Sequence, residues 1–227
     1  VFYPTWEAFT KEKQEESPIL AITARDSEGQ IVQRGYMPAK PGLNRVSWNL
    51  RLIGVNPAGS NPYDTGPFIP PGTYTADLAL IHNGEWKDVG QQQEFKVKAL
   101  FPISRSEKEK EAMNQFQVRL HETRRALYLD AQLLEEMLEE IKQSKNRILT
   151  LAEEGKSLYE QAHQIQQQLL SLELALTGNQ LVVDKMDLIA PTFQSRLNRI
   201  AGELWYSREV PTETQKESYQ IAIKEYI

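Results

Sequence analysis

A chain of 227 residues is long enough for one or two domains that each bury a core. Its 25% charged and 40% hydrophobic residues are typical of a globular protein, and no run of 18 apolar residues is available to cross a membrane. The net charge of −5 argues against nucleic acid as a partner, because phosphate binding needs a basic surface. The absence of cysteine excludes disulfides and thiolate chemistry.

Proline and glycine are concentrated in the first hundred residues, which hold 9 of the 12 prolines and 9 of the 12 glycines. Such residues separate short strands, whereas long helices need stretches without them. The composition therefore predicts two domains. The first is a β domain over residues 1–101, and the second is a helical domain over residues 102–227.

The first domain is predicted to consist of short strands joined by turns. Residues 19–24 and 30–32 flank a turn and are typical of a hairpin. Apolar and polar residues alternate over residues 45–50, which predicts a strand with Trp48 in the core. Residues 53–71 are rich in proline and are interpreted as one long loop.

A later strand is predicted to begin at Thr73 and to turn at Asn83-Gly84, a pair that accepts positive φ. It is expected to continue into a strand over residues 94–97. Several antiparallel strands with turns between them predict a β-sandwich of the fibronectin or immunoglobulin type.

Seven-residue apolar repeats predict helices in the second domain. Ser104 and Glu107 fit a capping box before a helix of roughly 45 residues. The repeat in this helix is Met113, Leu120, Leu127, Leu134, Ile141 and Ile148. We expect Leu127, Leu134 and Ile141 to be buried, because they lie in mid-helix.

A second apolar series follows Gly155, and it consists of Leu158, Ala162, Ile165, Leu169, Leu172 and Leu176. Shorter helices are predicted to begin near Pro191 and Pro211. A helix with one apolar stripe needs cover in water, so the sequence predicts an antiparallel bundle of three to four helices.

The side chains show no recognisable catalytic, cofactor or metal-binding motif. The three histidines, His82, His121 and His163, do not form an HExxH motif and are interpreted as surface residues. The glutamates of residues 135–140 are interpreted as a solvated helix face. Neither a glycine-rich phosphate loop nor a GxSxG motif is present. We therefore predict no catalysis, no cofactor and no metal.

Three aromatic residues are the candidate ligand-binding residues. Trp86 follows the Asn83-Gly84 turn, and Tyr63 and Phe68 lie in the predicted long loop. Aromatic rings exposed on a sandwich can line a groove for carbohydrate, and they could equally pack the loop down or contact a neighbouring domain. Carbohydrate binding through these three residues is the alternative function.

Three segments together resemble a known family. Residues 42–51, GLNRVSWNLR, are similar to the G-x-N-R-x-x-W-D/N-L-R strand that follows the β-propeller of bacterial sortilin-like, BNR-repeat proteins. Residues 66–75, GPFIPPGTYT, resemble the next segment of that family, and residues 196–219 resemble its closing AP-T-x-x-Q-x-x-x-Y helix pair. The three segments occur in the family's order over most of the chain.

The resemblance implies that this chain is the C-terminal part of a secreted or periplasmic protein. Proteins of that family are often labelled glycosyl hydrolases. The S-x-D-x-G-x-T-W Asp-box of a propeller blade is absent here, so any hydrolase activity would belong to an upstream propeller. The leading prediction is a non-catalytic accessory or interaction module. Its implied partner is the upstream β-propeller domain, and a glycan or protein partner is left open.

Overall fold

The computed structural model describes residues 5–56, 65–100, 106–151, 155–178, 191–206 and 209–226. They form an antiparallel β-sheet part followed by helices. The chain divides into two compact units, which consist of Val1–Ile53 with Phe68–Ser104 and of Gly54–Pro67 with Arg105–Ile227. The predicted boundary at residues 101 and 102 lies outside the described residues.

The β part begins with a nine-residue helix, α1 (Trp6–Gln14), which is followed by strands. The strands are β1 (Ile19–Arg25), β2 (Ile31–Pro38), β3 (Arg51–Ile53), β4 (Thr65–Phe68), β5 (Gly72–His82), β6 (Glu85–Asp88) and β7 (Gln93–Val97). Five of them form one antiparallel sheet in the order β2-β1-β5-β6, in which β7 pairs with the first half of β5. Strands β3 and β4 form a separate two-stranded sheet.

Two predicted turns are confirmed. Asp26 closes the β1–β2 hairpin, because its carboxylate accepts hydrogen bonds from the backbone N–H groups of Glu28 and Gln30. Asn83 and Gly84 have φ values of 50° and 78°, as a two-residue turn of this kind requires. The turn leads into β6, so the prediction that it joins β5 directly to the strand over residues 94–97 is wrong. That strand is β7, and it pairs with the other half of β5.

The core of the β part lies on the face of the five-stranded sheet that carries Tyr74. Tyr74 stacks on Phe95 with ring centroids 5.9 Å apart, and its hydroxyl donates a 2.7 Å hydrogen bond to the carbonyl of Pro70. Trp48 is half-buried against this cluster, and its indole N–H donates to the carbonyl of Arg51 at 2.8 Å. Trp48 therefore packs on the core as predicted.

The strand predicted over residues 45–50 is wrong. This segment has no strand pairing, and Val46 and Leu50 are exposed. Leu50 has φ 59°, a left-handed conformation that breaks an extended chain, and the Asn49 side chain accepts a hydrogen bond from the N–H of Arg51. The prediction of one loop over residues 53–71 is also wrong, because β4 lies within it.

The second unit contains α2 (Glu107–Ile148), α3 (Gly155–Thr177), α4 (Phe193–Tyr206) and α5 (Glu213–Tyr226). With 42 residues, α2 is about 63 Å long. Its capping box is formed by Ser106 and Glu109, two residues after the predicted pair, and Ser104 lies outside the described residues. The predicted starts of α4 and α5 are confirmed, since Thr192 and Thr212 accept hydrogen bonds from the first turns of these helices.

Three helices share the largest core of this unit. It combines Phe116, Leu120 and Leu127 of α2 with Phe193, Leu197, Ile200 and Leu204 of α4 and Ala222 of α5. The predicted burial of Leu127 and Leu134 is confirmed, whereas Ile141 is only half-buried. No helix in the described ranges combines the length and apolar character needed to cross a bilayer.

The apolar series of α3 is only partly buried. Ala162 and Leu169 are buried, and Lys145 of α2 donates a 2.8 Å hydrogen bond to Gln166 on the same side. The alternate row, Leu158, Ile165 and Leu172, is exposed. The stripe is therefore covered along one of its two rows, and Leu176 near the end of α3 packs against the core that α2, α4 and α5 share.

Candidate functional site

A groove with a volume of about 430 Å³ lies on the five-stranded sheet. Its side chains come from four strands and from the segment after β6. The residues that line it include Thr23, Arg25, Arg34, Asp77, Trp86 and Asp88.

The strand register explains why these distant residues meet. Thr23 pairs with Arg34 of β2 on one side and with Asp77 of β5 on the other. Side chains directly opposite each other in a sheet project from the same face, and residues two apart along a strand share that face. Ala79 and its β6 partner Asp88 therefore extend the same surface. This surface and Tyr74 lie on opposite faces of the five-stranded sheet.

Two arginines are held in different ways within the groove. The Nε of Arg25 donates to the Asp77 carboxylate at 2.9 Å, and both side chains are about one-third exposed. The Nε of Arg34 donates to the hydroxyl of Thr23 at 3.0 Å. The guanidinium of Arg34 then lies over the Trp86 ring, 5.1 Å from its centroid, which is a cation–π contact.

Small residues leave the space between these large side chains. Ala79 is one of the residues that line the groove, and its cross-strand partner on β1 is Ala21. Because a methyl group rises little above the sheet, the groove is a depression flanked by Trp86, Arg34 and Asp88. Gln92, in the segment after β6, also lines the groove, and its side-chain amide donates a 3.2 Å hydrogen bond to the Thr75 hydroxyl.

The predicted ligand residues occupy different places. Trp86 lies in the groove and is 47% exposed. Phe68 of β4 is 57% exposed, but it is not among the residues that line the groove, and the Arg51 guanidinium covers its ring at 3.8 Å. Tyr63 lies outside the described residues. The binding role of the three residues stays a prediction.

Sequence reasoning missed Arg34, Asp88 and Thr23 as members of the site. Each is an ordinary polar residue in its own segment of sequence. They can be recognised as a group only after β1, β2, β5 and β6 are aligned, because the alternation of side chains then places all three on the same face of the sheet.

The histidines do not come together. His82 Nε2 lies 3.4 Å from the Glu15 carboxylate, and His163 Nδ1 lies 3.3 Å from the Lys145 ammonium. The prediction that all three are surface residues is wrong for His121, which is 4% exposed and is one of the buried residues of α2.

The glutamates of residues 135–140 are all exposed, as predicted. Hydrogen bonds from Gln143 and then Lys142 hold the pKa of Glu139 below its usual value. Within the ranges that the structure describes, no group of three or more acidic or histidine side chains is placed to bind a metal ion.

A second surface feature is α1, in which every residue is exposed. Trp6 is 88% exposed and Phe9 is 49% exposed, and their ring centroids are 6.5 Å apart. They form an apolar pair on a helix that contributes no residue to a core.

No protein-family model, curated protein or solved structure matches this chain. The resemblance to sortilin-like, BNR-repeat proteins therefore stays a prediction.

Proposed function

We propose that this chain is a non-catalytic accessory module that binds a protein surface through α1. The partner in this proposal is the β-propeller domain that the family resemblance implies upstream, in a secreted or periplasmic protein. The observation that carries the proposal is the exposure of Trp6 and Phe9 on a helix without a buried residue.

Such a helix needs a partner because of its length. Helices shorter than about 12–15 residues are marginal in water, and α1 has nine residues. Its N-cap helps, since the Thr5 hydroxyl accepts a 3.3 Å hydrogen bond from the N–H of Ala8. Burying about 200 Å² of Trp6 would contribute on the order of 5 kcal/mol, before the losses of association are subtracted. An apolar contact is therefore the main stabilisation open to α1.

The end of α1 is attached to the sheet, which gives the helix a defined position. The backbone N–H of Glu16 donates to the Asn83 side chain at 2.8 Å, and Glu15 lies beside His82. Both contacts are at the β5–β6 turn. An attached helix with free rings can present Trp6 and Phe9 to a partner at low entropic cost.

We propose that the β part is a fibronectin-like sandwich, supported by Leu52 of β3 and Ile69 beside β4, which pack against Tyr74 of the larger sheet. We propose that the helices of the second unit form an antiparallel bundle, supported by the core that α2, α4 and α5 share.

Amide hydrogen exchange tests the docking of α1. The amides of α1 should exchange at least tenfold more slowly in the full-length parent protein than in this chain alone. Trp6→Ala in the parent protein should restore fast exchange. Leu100→Ala is the matched control, because Leu100 is also strongly exposed but lies outside α1.

Equal exchange of α1 in the two proteins would refute the docking proposal. An equal effect of Leu100→Ala would also refute it, because the change would then not depend on α1. The upstream sequence gives an independent test, since it should contain S-x-D-x-G-x-T-W repeats if it encodes a propeller.

A further inference from the structure

We propose that the groove on the five-stranded sheet binds a neutral saccharide, with the Trp86 ring as the stacking surface and with Arg34 and Asp88 as hydrogen-bonding groups. This site lies on the face of the sheet and does not depend on the docking of α1. It differs from a site made by Trp86, Tyr63 and Phe68, because its partners come from β2, β5 and β6.

The charges of the groove favour a neutral ligand. Arg25 and Asp77 neutralise each other through their 2.9 Å ion pair. Arg34 and Asp88 then contribute one positive and one negative group, so the groove has no net charge. A charged ligand would meet one of these groups as a like charge. A neutral ligand that both donates and accepts hydrogen bonds can use both of them.

Hydrogen-bonding capacity is available at both residues. Arg34 uses its Nε on Thr23, and within the described part of the chain its two terminal nitrogens have no protein acceptor. The carboxylate of Asp88 likewise has no hydrogen-bond or ion-pair partner among the described residues. Guanidinium and carboxylate groups are planar and can each bind two neighbouring hydroxyls. Paired hydroxyls on adjacent carbons are the characteristic feature of a sugar.

Trp86 supplies the apolar part of the site. A pyranose ring has C–H groups on its faces and hydroxyls around its edge, so it pairs with an aromatic ring beside polar side chains. Arg34 covers one side of the indole at 5.1 Å and so holds its orientation, while nearly half of Trp86 stays accessible. Indole and guanidinium together thus provide both kinds of contact.

The groove is also preorganised and large enough. Arg34, Thr23 and Asp77 project from paired strands, so ligand binding would order little backbone. The volume of about 430 Å³ lies within the range of about 300–1,000 Å³ that small-molecule sites occupy.

Isothermal titration of this chain tests the proposal with defined probes. Maltose, cellobiose and lactose are the neutral probes, and glucuronic acid and glucosamine are the charged ones. At least one neutral disaccharide should bind with a Kd on the order of 1 mM. Trp86→Ala should weaken binding at least tenfold, and Asp88→Asn should weaken it to a smaller extent.

Trp6→Ala is the matched control, because Trp6 is another exposed indole and lies outside the groove. It should leave saccharide binding unchanged. Trp86 lies on the short strand β6 and is half-exposed, so its replacement should keep the fold, and the melting temperature checks this.

Three results would overturn the proposal. The first is the absence of binding by every neutral probe at about ten times the expected Kd. The second is an equal loss of binding in Trp86→Ala and Trp6→Ala. The third is tighter binding of glucuronic acid or glucosamine than of the neutral probes, which would show that the groove prefers a charged ligand. Trp6→Ala should not affect saccharide binding, so failure of one proposal is distinguishable from failure of the other.

Discussion

Replacing Leu127 with alanine tests how α2 packs in the helical core. Leu127 is 3% exposed and belongs to the cluster that α2 shares with α4 and α5. The substitution removes three carbon atoms, worth about 2.4 kcal/mol of transfer free energy at about 0.8 kcal/mol each. The cavity left behind adds to this value, so we expect a loss of about 3–4 kcal/mol in the free energy of unfolding. The corresponding fall in Tm is roughly 6–16 °C for a chain of this size.

Urea denaturation followed by far-UV circular dichroism measures this loss. The matched control is Leu129→Ala, because Leu129 lies two positions further along α2 and is 45% exposed. It should change the free energy of unfolding by no more than about 0.5 kcal/mol. Equal losses in the two variants, or a Leu127→Ala loss as small as the control's, would refute the packing of α2 against α4 and α5.

Two further predictions concern Tyr74 and catalysis. Burial, followed by the negative charge of Asp26, raises the pKa of Tyr74 to about 12, against about 10 in an unfolded chain. Because the folded state holds this proton more tightly, the contribution to stability is complete below about pH 10 and is lost as the pH rises towards about 12. In urea titrations at different pH values, Tyr74→Phe should remove the loss in free energy of unfolding between about pH 10 and about pH 12. An equal loss in the variant and in the wild type would show that Tyr74 is not its cause. Aryl glycosides and polysaccharides should be hydrolysed only at background rates, since Asp77 is held by Arg25 at 2.9 Å. Turnover that disappears in Asp77→Asn would contradict the non-catalytic proposal.

Local patterns predicted much of the fold. The seven-residue repeat through Leu120, Leu127 and Leu134 identified α2, because such a repeat is visible in the sequence without knowing which elements pack against the helix. The turn at Asn83-Gly84 was predicted for the same reason, since positive φ is a property of these two residues themselves. The exposed row of α3 could not be predicted, because a repeat such as Leu158 to Ile165 does not say which neighbour covers it.

Prediction failed where the structure depends on distant residues or on one unusual backbone angle. Alternation over residues 45–50 is a fair strand signal, but the left-handed conformation of Leu50 ends it. Trp86 was predicted as a ligand residue because an aromatic ring after a tight turn is exposed. Its partner Arg34 lies 52 positions earlier, and only the pairing of β2, β1, β5 and β6 brings the two together.

The length of α2 has a consequence for how the helical unit unfolds. Its N-terminal half packs into the shared core through Phe116 and Leu127, whereas near its C-terminal end Lys145 contacts α3. One continuous helix therefore packs against different neighbours along its length, and cooperative units in proteins need not coincide with single helices. The outer turns of α2 can open together with the start of α3 while the half around Leu127 stays folded.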